Sequence, residues 1–186
     1  MSRQINLNCG YQLRWINLLL VPFCFLFLSC DLGKAELDNC QDLGNYTVDL
    51  PGIGFCPELS SGSVNDNIEL SISVLDITDA AGVHAQVKYD ASMIKIISAE
   101  AGNFFLRSQK PIFVYEDDGQ GKLDIYVFFM SSEKINSGTG QIANIIVKLI
   151  QTGSSEISIT TESEILDPKD VEIPIKGFGK GTIDAK

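Results

Sequence analysis

The segment Ile68-Glu69-Leu70-Ser71-Ile72-Ser73-Val74 alternates apolar and polar residues without a break. Successive side chains of a strand point to opposite faces, so this period of two marks a strand with one face buried. The same pattern recurs down the chain. Val83, Ala85, Val87 and Tyr89 form one face of the next run, and His84, Gln86 and Lys88 form the other. Further strands are expected at Met93–Ala99, Ile112–Tyr115, Lys122–Met130, Gln141–Leu149, Ser155–Thr161 and Val171–Ile175. In Lys122–Met130, Leu123, Ile125 and Val127 take one side, and Asp124, Tyr126 and Phe128 the other. Between the strands lie Glu116-Asp117-Asp118-Gly119-Gln120-Gly121, whose glycines supply the positive φ of a hairpin, the Gly153 turn, and Asp167-Pro168-Lys169-Asp170. No stretch shows sustained helical periodicity with capping signals. Many short strands at this spacing predict an all-β fold, an antiparallel β-sandwich or jelly roll of about nine strands.

The N-terminus has a different character. Arg3 and Arg14 precede a predominantly apolar, charge-free stretch of 15 residues, Trp15–Ser29, and no acidic residue occurs before Asp31. The stretch is shorter than the roughly 20 residues of a membrane-spanning helix and has the layout of an export signal. Phe27-Leu28-Ser29-Cys30 resembles the lipobox of bacterial lipoproteins, with Phe27 where leucine is usual. The resemblance implies that residues 1–29 are a signal peptide removed on export. Cys30 would then carry acyl chains that hold the protein at the surface of the cell envelope. An ordinary secretory signal, or an uncleaved anchor in which Cys30 is incidental, is the rival reading.

Removing residues 1–29 leaves 157 residues, enough for one domain with a core plus a tether. Two of the 14 basic residues and none of the 24 acidic ones go with them, so 12 face 24 and the formal charge is −12. A chain this acidic repels phosphate backbones, which argues against a nucleic-acid partner. Cys40 and Cys56 remain as an even pair in a compartment that permits disulfides. A bridge between them would close a loop of about 15 residues, worth on the order of 3 kcal/mol. A metal site is the competing idea, but no further Cys or His stands at ligand spacing. Residues 30–63 are rich in turn formers and read as a spacer with an early strand around Tyr46–Leu50; residues 179–186 read as a C-terminal tail.

Within residues 64–178 the order of motifs resembles the cohesin domain, the jelly-roll module of cellulosome scaffolds that binds dockerins. Val87-Lys88-Tyr89-Asp90 followed by Met93-Ile94-Lys95-Ile96 is similar to the family's strand ending in Tyr-Asp, its turn and its short aliphatic strand. Asp118–Phe129 is similar to the glycine hairpin and following strand. Gly138–Leu149 and Ser155–Asp167 follow in the family's order. The resemblance implies a binding module for an extracellular, dockerin-like protein module or a polysaccharide, linked to polysaccharide breakdown. In cohesins an Asn and an Asp on the outward face of the strand leading to Tyr-Asp commonly bond the dockerin. Counting back from Tyr89, those positions hold Gly82 and His84.

Catalysis has little support in the residues. His84 is the one histidine, and no nucleophile–histidine–acid spacing can be drawn around it. Glu116-Asp117-Asp118 offers hard oxygens but not the ligand spacing of a calcium loop, and reads as a solvated hairpin tip. Neither a cofactor nor a metal is expected, and the chain is read as no enzyme. If Leu123, Ile125 and Val127 face the core, Tyr126 and Phe128 face outward, where large aromatics serve as partner anchors. The expected docking face is therefore His84, Gln86, Lys88, Asp124, Tyr126 and Phe128. The alternative is a structural envelope lipoprotein that supports a larger assembly through sheet-edge contacts.

Overall fold

The computed structural model describes residues 44, 46–107, 110–130 and 135–186, all within one compact unit, residues 36–186. Cys30 and Cys40 lie outside the described residues. The unit is built from β1 (Gly52–Cys56), β2 (Leu59–Gly62), β3 (Asn67–Ala80), β4 (Gly82–Lys88), β5 (Ile94–Ala101), β6 (Ile112–Asp117), β7 (Lys122–Phe128), β8 (Asn136–Leu149), β9 (Gly153–Ile159), β10 (Glu164–Leu166), β11 (Gly177–Phe178) and β12 (Lys180–Ala185). A 3-10 turn, Phe105–Arg107, follows β5.

Two sheets form a sandwich. One has the order β11-β1-β3-β8-β5; the other runs β2-β12-β9-β4-β7-β6, with β10 paired to β4. Pairing is antiparallel except for β1 with β11 and β2 with β12. The described residues hold twelve strands against about nine expected, the additions being β1, β2, β10, β11 and β12.

Alternation produces this architecture directly. Leu70, Ile72 and Val74 of β3, with Ile145, Val147 and Leu149 of β8, turn inward from the first sheet. Val83, Ala85 and Val87 of β4, with Leu123, Ile125 and Val127 of β7, meet them from the second. Each large aliphatic side chain buried this way contributes about 1.5–3 kcal/mol of transfer free energy. At one end Phe104, Phe105 and Phe129 close the core through edge-to-face contacts, with centroids 5.0 and 5.1 Å apart.

The structure corrects several expected boundaries. No strand covers Tyr46–Leu50; the first begins at Gly52. The segment read as spacer contributes β1 and β2 to the two sheets, and the segment read as tail contributes β12, seated between β2 and β9. Val171–Ile175 is not a strand: Pro174 has no amide to donate, and Glu172 makes only an isolated bridge to Leu166. Cys56 is disulfide-bonded, whereas its expected partner, Cys40, is outside the described residues.

The hairpin between β6 and β7 turns as its glycines require, with φ of 66° at Gly119 and 120° at Gly121. Its acidic side chains are turned on the backbone. Asp118 Oδ1 accepts from the amides of Gln120 at 2.8 Å and Lys122 at 2.9 Å, which holds its carboxyl below the usual range. Asp117 Oδ1 accepts from the Gly119 amide at 3.1 Å. The Tyr89 hydroxyl also donates to Asp117, at 2.5 Å. Burial and then that carboxylate push the phenol above its ordinary range. Tyr89 thus ties the end of β4 to the hairpin, while Asp90 accepts from the amide and hydroxyl of Ser92 and closes the next turn.

Candidate functional site: the outer face of the second sheet

Strand pairing sets the outward residues of β6, β7, β4 and β10 in rows. Val114 lies beside Tyr126, Tyr126 beside His84, and His84 beside Glu164. The next row is Ile112, Phe128, Gly82 and Leu166. On the other side, Glu116 pairs with Asp124 and Asp124 with Gln86. The face is exposed and apolar at its centre: Ile112, Val114, Tyr126 and Phe128 keep 37, 50, 38 and 36% of their surface accessible.

A polar network holds the aromatic part in place. His84 stacks on Tyr126 with ring centroids 4.5 Å apart and planes 6° from parallel. Its Nε2 meets Asp124 Oδ1 at 2.9 Å, and because an ionised carboxylate only accepts, that nitrogen carries the proton. Gln86 Nε2 donates to the same oxygen at 3.0 Å, and Lys122 Nζ lies 3.1 Å from Oδ2. Gln86 Oε1 in turn accepts from the Thr160 hydroxyl at 2.9 Å. Asp124 is only 8% exposed. Burial pushes its carboxyl upward, but hydrogen bonds from His84, Gln86 and Lys122 outweigh this and hold it below the usual carboxylate range. Three donors converge on one buried carboxylate, so His84 and Tyr126 are fixed before any partner arrives.

The structure therefore brings five of the six expected face residues together, with Asp124 as the buried hub beneath the others. Lys88 stands apart. It lies opposite Lys122 at the far end of β4 and lines a polar depression with Asp90, Gln120, Glu156 and Ser158. Ile112, Val114, Glu164 and Leu166 belong to the face and escaped the sequence reading. β6 opens Ile112-Phe113-Val114-Tyr115, apolar or aromatic at every one of these positions, so no alternation separated its outward residues from its inward ones. Glu164 and Leu166 sit on a three-residue strand paired across some 80 positions to β4, and nothing local marks that pairing.

Among the described residues, no group of three or more His, Cys, Asp or Glu is placed to hold a metal ion. The arrangement offers a partly apolar surface with fixed polar neighbours, which is a geometry for docking.

Comparison with known proteins agrees with the fold. No curated protein matches the sequence. Among solved structures, a type II cohesin from the cellulosome of Acetivibrio cellulolyticus superposes with a TM-score of 0.62 at 19% identity, over 71% of this chain and 94% of that one. The sixth cohesin of scaffoldin B from the same organism, solved in complex with a Cel5 dockerin, gives 0.61 at 16%, over 73% and 98%. A non-cellulosomal cohesin from the archaeon Archaeoglobus fulgidus gives 0.59 at 12%, over 73% and 91%. These identities speak for the fold, and the family model for the cohesin domain matches residues 57–183. The chain belongs to the cohesin family.

Proposed function

We propose that the chain is a non-catalytic binding module, exported and held at the cell envelope, that docks a dockerin-like protein module on the β4–β7–β6 face. The observation that carries this reading is the exposed apolar row of Ile112, Val114, Tyr126 and Phe128 beside a prearranged His84–Asp124–Gln86 network. Immobilising side chains on binding costs about 0.5–1.5 kcal/mol each, and here His84 and Tyr126 are already immobile. The scaffoldin B relative was solved with a dockerin bound, which supports a protein module as the partner class. Gly82 and His84 replace the polar pair that the family resemblance associates with dockerin bonding, so the partner's complementary surface is less polar here.

A panel of purified dockerin modules tested against the full-length protein, wild type and Tyr126→Ala plus Phe128→Ala, tests the reading. A module that binds the wild type and loses at least ~30-fold affinity for the folded double variant supports it. Equal binding by both refutes the face.

The envelope anchor rests on Arg3, Arg14, the apolar stretch and the Phe27–Cys30 pattern in the sequence. Metabolic labelling with a fatty acid tests it: label carried by the wild type and lost in Cys30→Ala supports lipidation, and label retained in that variant contradicts it.

A further inference from the structure

Gly82 interrupts the row Ile112–Phe128–Gly82–Leu166. Where a side chain would stand, the surface drops into a slot of about 240 Å³ lined by Gly82, His84, Tyr126, Phe128, Glu164 and Leu166, with Val83 at its base. Phe128 and Leu166 flank Gly82 on the two neighbouring strands, and the stacked Tyr126 and His84 rings, with Glu164, form the adjacent row. A Cβ on residue 82 would lie 3.2 Å from the Phe128 Cβ, inside the space that the missing side chain leaves open. Past Gly82 the slot continues into a second depression of about 370 Å³ that shares Gly82, Phe128 and Leu166 and adds Met130, Asp167 and Asp170.

Among the described residues, the charged side chains that line this groove have one sign. Glu164 lines the slot, and Asp167 and Asp170 line its continuation; no described lysine or arginine lines either. Lys169 lies between the two aspartates in sequence but contributes to neither lining. An apolar floor with an acidic rim is complementary to a large apolar side chain with a cation beside it.

We propose that the slot over Gly82 receives one large apolar side chain of a protein partner, and that an adjacent lysine or arginine of that partner faces Glu164, Asp167 and Asp170. This inference rests on the binding-module reading above and names the feature of the partner that the face selects. Gly82 is then a specificity-determining position. It supplies the void, where a polar side chain would supply hydrogen bonds.

The test is selection of a phage-displayed library of dockerin modules, randomised at their surface positions, against the full-length protein. Recovered binders are then measured against variants confirmed folded by thermal melting. Binders that pair a large apolar residue with Lys or Arg are expected to lose at least ~30-fold affinity for Gly82→Ala, whose methyl occupies the slot. They should lose about tenfold for Glu164→Lys, which inverts a rim charge, and nothing for Lys95→Ala on β5 of the other sheet. Should Gly82→Ala fail to fold, Glu164→Lys carries the test at an exposed position. Binders that weaken with Tyr126→Ala plus Phe128→Ala yet tolerate both slot variants overturn the slot and leave the face standing. Binders indifferent to all of these overturn both. A selection whose binders lack the apolar–cation pairing, or that yields none, overturns the slot.

Discussion

Replacing Asp124 removes the hub of the docking face, and the structure sets how much should be lost. The carboxylate takes a hydrogen bond from Gln86 at 3.0 Å, a contact with His84 Nε2 at 2.9 Å and one with Lys122 at 3.1 Å. The lysine side chain is 52% exposed, so solvent and salt screen its ion pair and the bonds from Gln86 and His84 decide the loss. The two partly buried bonds to a charged acceptor are worth about 1.5 kcal/mol each before the cost of burying the carboxylate is subtracted. Asp124→Ala should therefore destabilise the domain by about 2–3 kcal/mol, and Asp124→Asn, which keeps the volume, by about 1–2. At about 2–4 °C per kcal/mol for a domain of this size, the alanine variant should melt some 5–10 °C lower. The sign of the pH dependence follows from the depressed carboxyl. The stabilisation is fully present above the unfolded value of about 3.9 and is lost as pH falls through the lower folded value. Urea unfolding of wild type and Asp124→Asn at pH 7 and at steps below pH 4 should show the gap closing as acid is added. A gap under about 0.5 kcal/mol at pH 7, or one that stays constant into acid, would refute the reasoning. Asp124→Ala also releases His84, so its stack on Tyr126 should loosen and partner binding weaken with no change to the aromatic residues themselves.

Deleting residues 180–186 removes β12 from between β2 and β9; the truncated chain should lose its cooperative unfolding transition by circular dichroism, and a normal transition would show that β12 is dispensable. Gly102→Ala puts a Cβ 2.3 Å from the Gln141 carbonyl oxygen, so backbone must move, and a loss of about 3 kcal/mol or more is expected in urea. Tyr89→Phe removes the hydroxyl that donates to Asp117 and should cost about 1.5 kcal/mol, measured the same way, while partner binding on the distant aromatic row stays unchanged.

The parts of the fold legible in the sequence are those where one face is aliphatic and the other is not. β4 and β7 show this clearly, and their alternation also placed His84, Gln86, Asp124, Tyr126 and Phe128 on one surface. β12 escaped because its inward positions are Gly181, Ile183 and Ala185, so small residues fill places where larger ones were sought. A Cβ on Gly181 would stand 3.1 Å from Ile157 Cγ2: the neighbouring strand fills that space. β1 escaped for the opposite reason. All five of its residues are buried, and a strand covered on both faces has no period of two. β3 runs past Val74 to Ala80 through register shifts, with Asp76 and Asp79 at φ of 54° and 57°, and such bulges break the pattern they extend. In Val171–Ile175 the apolar spacing looked strand-like, but Pro174 and the lack of a partner strand decided the outcome. The burial of Asp124 was hidden for another reason. A carboxylate on an outward face reads as solvated until its three donors are seen around it. The Gly82 slot depends on β10 crossing from about 80 residues away, so it exists only once the topology is known.

The central claim, that the β4–β7–β6 face docks a protein module, comes down to one affinity comparison. A dockerin-type module that binds the full-length protein is titrated calorimetrically against wild type and against Tyr126→Ala plus Phe128→Ala, both confirmed folded by thermal melting. Both aromatics are about two-thirds covered, so the double variant should melt lower than the wild type yet remain folded at the temperature of the titration. The account predicts a loss of at least ~30-fold in affinity with a smaller negative heat-capacity change of binding. Unchanged affinity and heat capacity in the folded double variant would contradict it.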